Sequence, residues 1–404
     1  MNSVVTQQRV LSGMRPTGQL HLGHFHGVLN NWVKLQHEYE CLFFVADWHA
    51  LTTHYDQVEM IQASVWDMVV DWLAAGVNPG SATLFIQSHV PEHAELHLLL
   101  SMMTPLGWLE RVPSYKDQQE KLKEKDLATY GFLGYPLLQS ADILAYKAGL
   151  VPVGADQVAH VELTREVARR FNYLFGRGPD FEKGVAAALR KMGKKSAALY
   201  SQWKKQYLEQ GDEKILATAQ ALVSDHAQLT LVDKERLLGD LEGSGKVILP
   251  EPHALLTANA KMPGLDGQKM SKSYGNTIPL RAAPEVIVEK IRIMPTDPAR
   301  IRRSDPGSPA LCPVWPLHLI YSDATTQEWV QSGCTSAGIG CIECKKKLSD
   351  AIEIELAPMR ERAVEYERHP DRVKSIVAEG AEAAREIAKE TLEEVRSVMG
   401  LGYR

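Results

Sequence analysis

The sequence lacks any apolar run long enough to cross a membrane. Of its 404 residues, 45% are hydrophobic and 24% are charged, which is ordinary for a globular protein, whereas a spanning helix needs about 20 consecutive apolar residues. Residues 1–9 are polar and contain no apolar core of a secretory signal peptide. We therefore expect a cytoplasmic protein that does not associate with a membrane.

An excess of positive charge is also missing. The chain has 45 Lys and Arg residues against 50 Asp and Glu residues, and its formal net charge is −5. Any binding of nucleic acid must then depend on local basic patches and not on the field of the whole protein. No internal repeat or low-complexity tract is present, and the length allows two domains with a sizeable core.

Cysteine is scarce and unevenly distributed, with only five residues in the chain. Cys41 opens an apolar run and is expected to be a buried core thiol. The other four have the spacing C-x21-C-x6-C-x2-C, which in a cytoplasmic chain favours a metal site over disulfides. Four thiolates can hold either a Zn²⁺ ion or a [4Fe–4S] cluster, and the spacing leaves both open. The last three are expected in a glycine-containing loop, and the four residues are Cys312, Cys334, Cys341 and Cys344.

A glycine-rich stretch at residues 11–24, LSGMRPTGQLHLGH, lies between an apolar run and an amphipathic pattern. This order predicts a strand, a tight turn and a helix. Glycines let a phosphate chain approach the main chain, and a helix N-terminus favours negative charge. His21 and His24 stand where they can donate hydrogen bonds to the phosphates of a nucleotide. Incidental histidines on a surface turn are the alternative that the glycines alone leave open.

Short apolar segments alternate with helical patterns in the first half of the chain. Helices are predicted at residues 57–75 and 161–171, between or after the apolar segments. This alternation predicts a parallel, doubly wound sheet, in which ligands bind beyond the carboxyl ends of the strands. The predicted strands are 41–46, 82–86, 150–153 and 247–249, and polar residues follow the first three at 47–49, 87–89 and 154–157.

An acidic residue stands in an otherwise apolar helix. Gln139 and Asp142 lie three residues apart in the predicted helix 135–144, so they share one helix face. A buried carboxylate is costly unless it has a partner. Asp142 is therefore expected either to bind a ligand or to pair with another buried side chain.

Two short signatures carry a resemblance to a known family. Residues 21–24, HLGH, resemble the HIGH signature of class I aminoacyl-tRNA synthetases, and residues 269–273 read KMSKS. The segments 131–144, 151–157 and 162–165 resemble bacterial tryptophanyl-tRNA synthetases closely. A tyrosyl-tRNA synthetase shares the fold and both signatures, and a catalytically silent paralogue that binds tRNA or a nucleotide is a further alternative. Pyrophosphate exchange with tryptophan separates the three.

The resemblance implies an α/β fold, the Rossmann-type doubly wound parallel sheet of the HUP class I synthetases, with a helical C-terminal domain. It also implies a homodimer. A segment rich in Lys, Glu, Gln and Ala is missing from many members, and we assign it no chemistry. The expected organisation is a catalytic domain at 1–176 with a helical connective region at about 92–175, the helical insertion at 177–246, the completed catalytic domain with the KMSKS loop at 247–285, and a helical anticodon-binding domain at 286–404.

The activity that the resemblance implies is ATP-dependent activation of L-tryptophan, followed by transfer to the terminal adenosine of tRNA(Trp). The catalytic residues would be His21, His24, Lys269 and Lys272, with Mg²⁺ assisting as pyrophosphate leaves. Many members have Thr and Asn at positions 21 and 24 and Met at position 139, which affects details of binding. The implied tryptophan-binding residues are Asp142, as acceptor of the indole N–H, with Tyr135, Gln139, Gln157 and His49. The implied ATP-binding residues are Arg15, Pro16, Thr17, Gly23, His24, Gly154, Ala155, Asp156, Lys261, Met262, Lys269, Met270, Ser271, Lys272 and Ser273.

The resemblance also bears on the four clustered cysteines. A subset of tryptophanyl-tRNA synthetases has the same set, with a first gap one residue longer, and binds a [4Fe–4S] cluster. The resemblance therefore implies such a cluster in the helical domain, close to the anticodon-binding surface, with a structural or tRNA-positioning role. Zn²⁺ stays the alternative.

Overall fold

The structure is a computed structural model that describes residues 8–112, 129–177, 181–210, 212–241, 246–256 and 262–403. No helix in these ranges is both long enough and apolar enough to span a bilayer. The helices are α1 (Leu22–His24), α2 (Asn30–Leu35), α3 (Asp47–His54), α4 (Val58–Ala75), α5 (Glu92–Ser101), α6 (Leu106–Glu110), α7 (Tyr130–Ala145), α8 (Val158–Phe175), α9 (Phe181–Gln210), α10 (Glu213–Ser224), α11 (Leu231–Leu241), α12 (Pro284–Ile293), α13 (Trp315–Tyr321), α14 (Ala324–Thr335), α15 (Cys341–Arg368) and α16 (Pro370–Val398).

The strands are β1 (Arg9–Met14), β2 (Glu40–Val45), β3 (Ala82–Ile86), β4 (Leu150–Val153) and β5 (His253–Leu256). They form one sheet in the order β3-β2-β1-β4-β5. β1 runs parallel to β4, and β2 runs parallel to β3, with residues 41–45 opposite residues 82–86. The order reverses at β1, as in a doubly wound sheet, and the predicted fold class is confirmed.

Two of the predicted elements show why the sequence forms them. β2 is an apolar run with Phe43 fully buried, as expected for a strand covered on both faces. The helix predicted at 57–75 is α4, whose apolar residues recur at helical spacing. It ends at Gly76, which has a left-handed φ of 108° that only glycine adopts at little cost. Cys41 is buried, which confirms the prediction of a core thiol, and this burial raises its pKa to about 12.

Two local predictions are wrong. Residues 247–249 form no strand, and the sheet instead takes β5, at His253–Leu256. All three cysteines predicted in a glycine-containing loop lie in helices: Cys334 is near the end of α14, and Cys341 and Cys344 are in the first turn of α15. Gly340 supplies the extended N-cap of α15, so that glycine begins a helix where a longer loop was expected.

The contacts divide the chain into two compact units. The first consists of residues 1–11, 90–255 and 382–404, and the second of residues 12–89 and 256–381. The domain limits given from the sequence stay a prediction. Within the first unit, α9, α10 and α11 surround an apolar core of their own that includes Tyr200 and Leu237. Gly193, with φ 75° and ψ 161°, interrupts α9.

In the second unit, α16 approaches β3 at Gly380. A Cβ on this glycine would lie 2.0 Å from the carbonyl oxygen of Leu84, closer than any real contact. The absence of a side chain therefore lets a helix backbone touch a strand backbone.

Candidate active site

The turn after β1 leads into a helix that His21 caps. His21 Nδ1 accepts a hydrogen bond from Gly23 N at 3.1 Å, and His24 Nδ1 accepts one from His21 N at 3.2 Å. Because both Nδ1 atoms are acceptors, each neutral imidazole carries its proton on Nε2. The ring centroids are 3.9 Å apart. The pair therefore presents two N–H donors at the start of one helix.

Both imidazoles are neutral at physiological pH. Burial, aided by the charge of Lys272, lowers the pKa of His21 to about 4. Burial, His21 and Lys272 lower the pKa of His24 well below its usual value. Such groups can donate hydrogen bonds to phosphate oxygens without giving up a proton.

Lys272 of the KMSKS segment lies against the same turn. Its Nζ donates hydrogen bonds to the carbonyl oxygens of Thr17 at 3.0 Å and Gly18 at 2.7 Å. Gly18 has a left-handed φ of 94°, which lets two successive carbonyls reach one ammonium group without strain. Burial lowers the pKa of Lys272 to about 8, with Asp71 raising it and Arg15 lowering it. The structure thus brings the two signatures together, with a cation beside the histidine pair.

Asn276, which sequence reasoning missed, ties the KMSKS loop together. Its Oδ1 accepts a hydrogen bond from Ser271 N at 2.8 Å, and its Nδ2 donates to Lys269 O at 3.1 Å and to Asp266 Oδ1 at 2.7 Å. The side chain is buried. A Cβ on Gly264 would lie 2.2 Å from Asn276 Nδ2, so glycine is needed for the close approach. An asparagine just after the signature was the only signal in the sequence.

Other members of the predicted ATP set are placed nearby or follow β4. Met270 N donates to Met262 O at 2.9 Å, and both side chains are buried. Gly154 follows the carboxyl end of β4 and precedes a short 3₁₀ turn, Ala155–Gln157. Lys261 lies outside the described residues, as do the side chains of Asp156 and Ser273, while Pro16 is buried, Thr17 half-buried and Arg15 exposed.

In the first unit, Asp142 belongs to a buried chain of hydrogen bonds. Its Oδ1 lies 2.5 Å from His93 Nδ1, and His93 Nε2 lies 2.5 Å from the hydroxyl of Tyr146. All three side chains are almost fully buried. His93 is the partner that a buried carboxylate requires, and the sequence did not identify it because α5 and α7 are distant in the chain.

A second histidine connects two residues of the predicted tryptophan set. His160 Nε2 lies 3.2 Å from the hydroxyl of Tyr135, and His160 Nδ1 lies 2.6 Å from Gln157 Oε1. Gln139 is half-buried on α7. His49 is buried near the start of α3, the helix that follows β2.

The four cysteines lie near one another in the second unit. Burial raises the pKa of Cys344 to about 12, and Cys312, Cys334 and Cys341 raise it further. The thiols are thus close enough to oppose one another's ionisation. In the part of the chain that the structure describes, no three His, Cys, Asp or Glu side chains are arranged as a group that could hold a metal ion.

Donors and cations surround these cysteines. Arg300 Nη1 lies 3.8 Å from Cys334 Sγ, and His318 Nε2 lies 3.3 Å from Cys344 Sγ. Burial lowers the pKa of His318 to about 4, so its ring is neutral. The ammonium group of Lys345 interacts electrostatically with three of the four cysteines. Burial nevertheless raises the pKa of Cys334 as well as that of Cys344, and Arg300 only partly offsets the rise at Cys334. Metal binding requires thiolates, so a bound metal would have to displace the thiol protons.

Comparison with known proteins gives consistent matches along the chain. The chain matches the family described as "tRNA synthetases class I (W and Y)" over residues 5–196 and 228–357. It is 64% identical over 396 residues to the "Tryptophan--tRNA ligase" of Ralstonia nicotianae, covering 98% of this chain and 99% of that one. The enzyme of the same name from Thermotoga maritima is 45% identical over 398 residues, covering 98% of this chain and 100% of that one.

A solved structure extends these matches to the fold. The tryptophanyl-tRNA synthetase from Campylobacter jejuni, complexed with ADP and tryptophan, is 27% identical, has a TM-score of 0.72, and covers 97% of this chain and 100% of that one. The internal gap in the family match, 197–227, falls within the predicted insertion. With the histidine pair, the KMSKS loop and relatives of this identity over nearly its whole length, the chain belongs to the class I tRNA synthetases, among the tryptophanyl-tRNA synthetases.

Proposed function

We propose that this chain activates L-tryptophan with ATP to tryptophanyl-adenylate and pyrophosphate, and then transfers tryptophan to the 3′-terminal adenosine of tRNA(Trp). The observation that carries the proposal is that Lys272 of the KMSKS loop lies against the glycine-containing turn that leads to two neutral histidines. The tryptophan ligases among its relatives support the choice of amino acid.

In the first step the tryptophan carboxylate attacks the α-phosphorus of ATP, and the bond from that phosphorus to the pyrophosphate oxygen breaks. No side-chain nucleophile is needed, so positioning and electrostatics supply the rate. The Nε2–H groups of His21 and His24 would hold the α-phosphate. Because these rings stay neutral, they would donate hydrogen bonds to the phosphate and would not act as general acids.

The lysines of the KMSKS loop would act on the leaving group. Negative charge builds on pyrophosphate as the bond breaks, and Lys269 and Lys272 would offset it there. Mg²⁺ would assist by coordinating phosphate oxygens. Arg15, Pro16, Thr17 and Gly23 would bind the rest of the triphosphate, and Gly154, Ala155 and Asp156 would face the ribose, with Lys261, Met262, Met270, Ser271 and Ser273 completing the set.

The amino acid would be selected by a polar group in an apolar site. Asp142 would accept the indole N–H, and a site built to bind that group rejects side chains that lack it. Tyr135, Gln139, Gln157 and His49 would line the pocket and bind the polar head. In the second step a ribose hydroxyl of the terminal adenosine attacks the activated carbonyl, and AMP leaves. The helical anticodon-binding domain, the homodimer and the cytoplasmic location stay predictions.

The test is ATP–pyrophosphate exchange with purified protein. Exchange should depend on L-tryptophan and not on L-tyrosine, and the protein should charge tRNA(Trp). His24→Ala should lose most of the exchange, whereas His37→Ala, at an exposed position in the same unit, should keep it. Exchange driven by tyrosine, or none with any amino acid, would refute the assignment.

We also propose that Cys312, Cys334, Cys341 and Cys344 hold a [4Fe–4S] cluster, with Zn²⁺ as the alternative. Three observations support a four-thiolate site: the mutual proximity of the thiols, the nearby Arg300 and Lys345, and Gly307, where a Cβ would lie 2.6 Å from Cys334 Sγ. Four thiolates around either group leave net negative charge, which the two cations would offset. When bound, the group would cross-link α14, α15 and the loop that carries Cys312, and activation needs no redox step from it.

Metal content decides this second proposal without any measure of activity. Anaerobically purified protein should be brown, with about four iron and four sulfide per chain. Cys344→Ser should lose the iron, and Cys41→Ser, the matched control in the core, should keep it. Colourless protein with about one zinc per chain would establish the alternative, and protein with neither would rule out a metal site.

A further inference from the structure

The buried chain Tyr146–His93–Asp142 has a direction. Burial, with Asp142 and Glu92 adding to it, raises the pKa of Tyr146 well above its usual value. The phenol therefore keeps its proton and can donate it to His93 Nε2, 2.5 Å away. An imidazole that accepts at Nε2 carries its proton on Nδ1. That proton faces Asp142 Oδ1, also 2.5 Å away, so each group fixes the next.

In this arrangement His93 engages Oδ1 of Asp142. An N–H that donates to a buried carboxylate stabilises the charged form of that carboxylate. It also fixes the rotation of the carboxyl group, so the second oxygen has a defined position. Position matters here, because a hydrogen-bond acceptor selects a substrate only when it is held at the correct place.

We propose that His93, held by Tyr146, is a positioning residue that determines specificity for the indole N–H by engaging one oxygen of Asp142. The inference rests on the proposed function, in which Asp142 accepts that N–H. His93 itself touches no substrate in this proposal. Its effect reaches the amino acid only through the carboxylate.

Two nearly isosteric substitutions separate this role from a purely structural one. In His93→Asn the amide nitrogen replaces Nδ1, so donation to Asp142 is kept. In His93→Gln the amide reaches toward the position of Nε2, so donation to Asp142 is lost. Both variants are polar and similar in size, and thermal unfolding shows whether each is folded.

The readout is the ratio of kcat/KM for tryptophan to that for β-(3-benzothienyl)alanine, in which sulfur replaces the N–H. The wild type should prefer tryptophan by about 100-fold, the range of one hydrogen bond to a charged group. His93→Gln should lower this ratio by about tenfold or more through the KM for tryptophan, with the KM for ATP unchanged. His93→Asn should keep it within about threefold, and Tyr146→Phe should fall between the two.

A wild-type ratio near one would remove Asp142 from the pocket and overturn the inference with it. The inference alone would be overturned if the wild-type ratio is high and falls in Asp142→Ala, but His93→Gln and His93→Asn have the same ratio as each other. Should His93→Gln be unfolded, the ratio in Tyr146→Phe decides: an unchanged ratio there overturns the inference.

Discussion

The KMSKS loop offers a sharp test because one side chain, Asn276, joins three parts of it. Asn276→Ala removes the hydrogen bonds to Ser271 N and Lys269 O and the one to Asp266. Each bond to the backbone contributes about 1 kcal/mol, so the two together contribute about 2 kcal/mol. If that energy holds the lysines in place as pyrophosphate leaves, adenylate formation should slow by about 30-fold, at about 1.4 kcal/mol per tenfold.

The assay is single-turnover formation of tryptophanyl-adenylate after rapid mixing. The rate constant at saturating ATP should fall, and the affinity for ATP should change less, because the loop acts mainly in the transition state. Gly264→Ala should give a similar loss, since the new Cβ would displace the Asn276 amide. Asn78→Ala is the matched control: its side chain accepts a hydrogen bond from Gly80 N in an exposed turn of the same unit. A wild-type rate in folded Asn276→Ala would refute the reasoning.

Three further predictions concern titratable groups. Asp142→Ala should weaken tryptophan activation by about 2 kcal/mol with little change in the KM for ATP, and unchanged steady-state constants would place Asp142 elsewhere. Lys272→Ala should slow adenylate formation far more than it weakens ATP binding. The wild-type lysine loses its charge as pH rises through about 8, so kcat/KM for ATP should fall in that range. Lys272→Arg should keep kcat/KM for ATP constant to a higher pH. The pKa of His21 is about 4 in the folded chain, against the usual value of 6.5. As pH falls, His21 is therefore protonated in the unfolded chain before it is protonated in the folded chain. Stability measured with urea should therefore be fully present above about pH 6.5 and decline as pH falls toward 4, with a smaller decline in His21→Thr.

The strands and the two signatures could be predicted because their information is local. β3 and β4 were predicted with their correct limits, since a short apolar run between turn residues defines a buried strand. The strand expected at 247–249 failed because a run of three apolar residues does not distinguish a strand from a buried loop. Ile248 and Leu249 are indeed fully buried, held by Asn172, whose Oδ1 accepts hydrogen bonds from both backbone nitrogens.

The side chains that complete the site depend on contacts that local patterns do not encode. His93 is separated from Asp142 by 49 residues, and nothing near either one indicates the pair. The cysteine spacing indicated a ligand set but not that Cys341 and Cys344 would occupy the first turn of a helix. Residues three apart in a helix share a face, which explains why a C-x2-C pair can serve a common site without a loop.

Gly380 has a consequence for engineering this enzyme for thermal tolerance. Replacing glycine by alanine inside a helix is a standard stabilising change, with a gain of about 1 kcal/mol from helix propensity. Gly131, in the first turn of α7, is a suitable position, because no atom lies within 4 Å of the Cβ it would acquire. The same substitution at Gly380 would place that carbon against the main chain of Leu84, where neither backbone can rotate aside. Helix propensity alone would rank the two positions alike, yet alanine at Gly131 should raise the melting temperature and alanine at Gly380 should lower it.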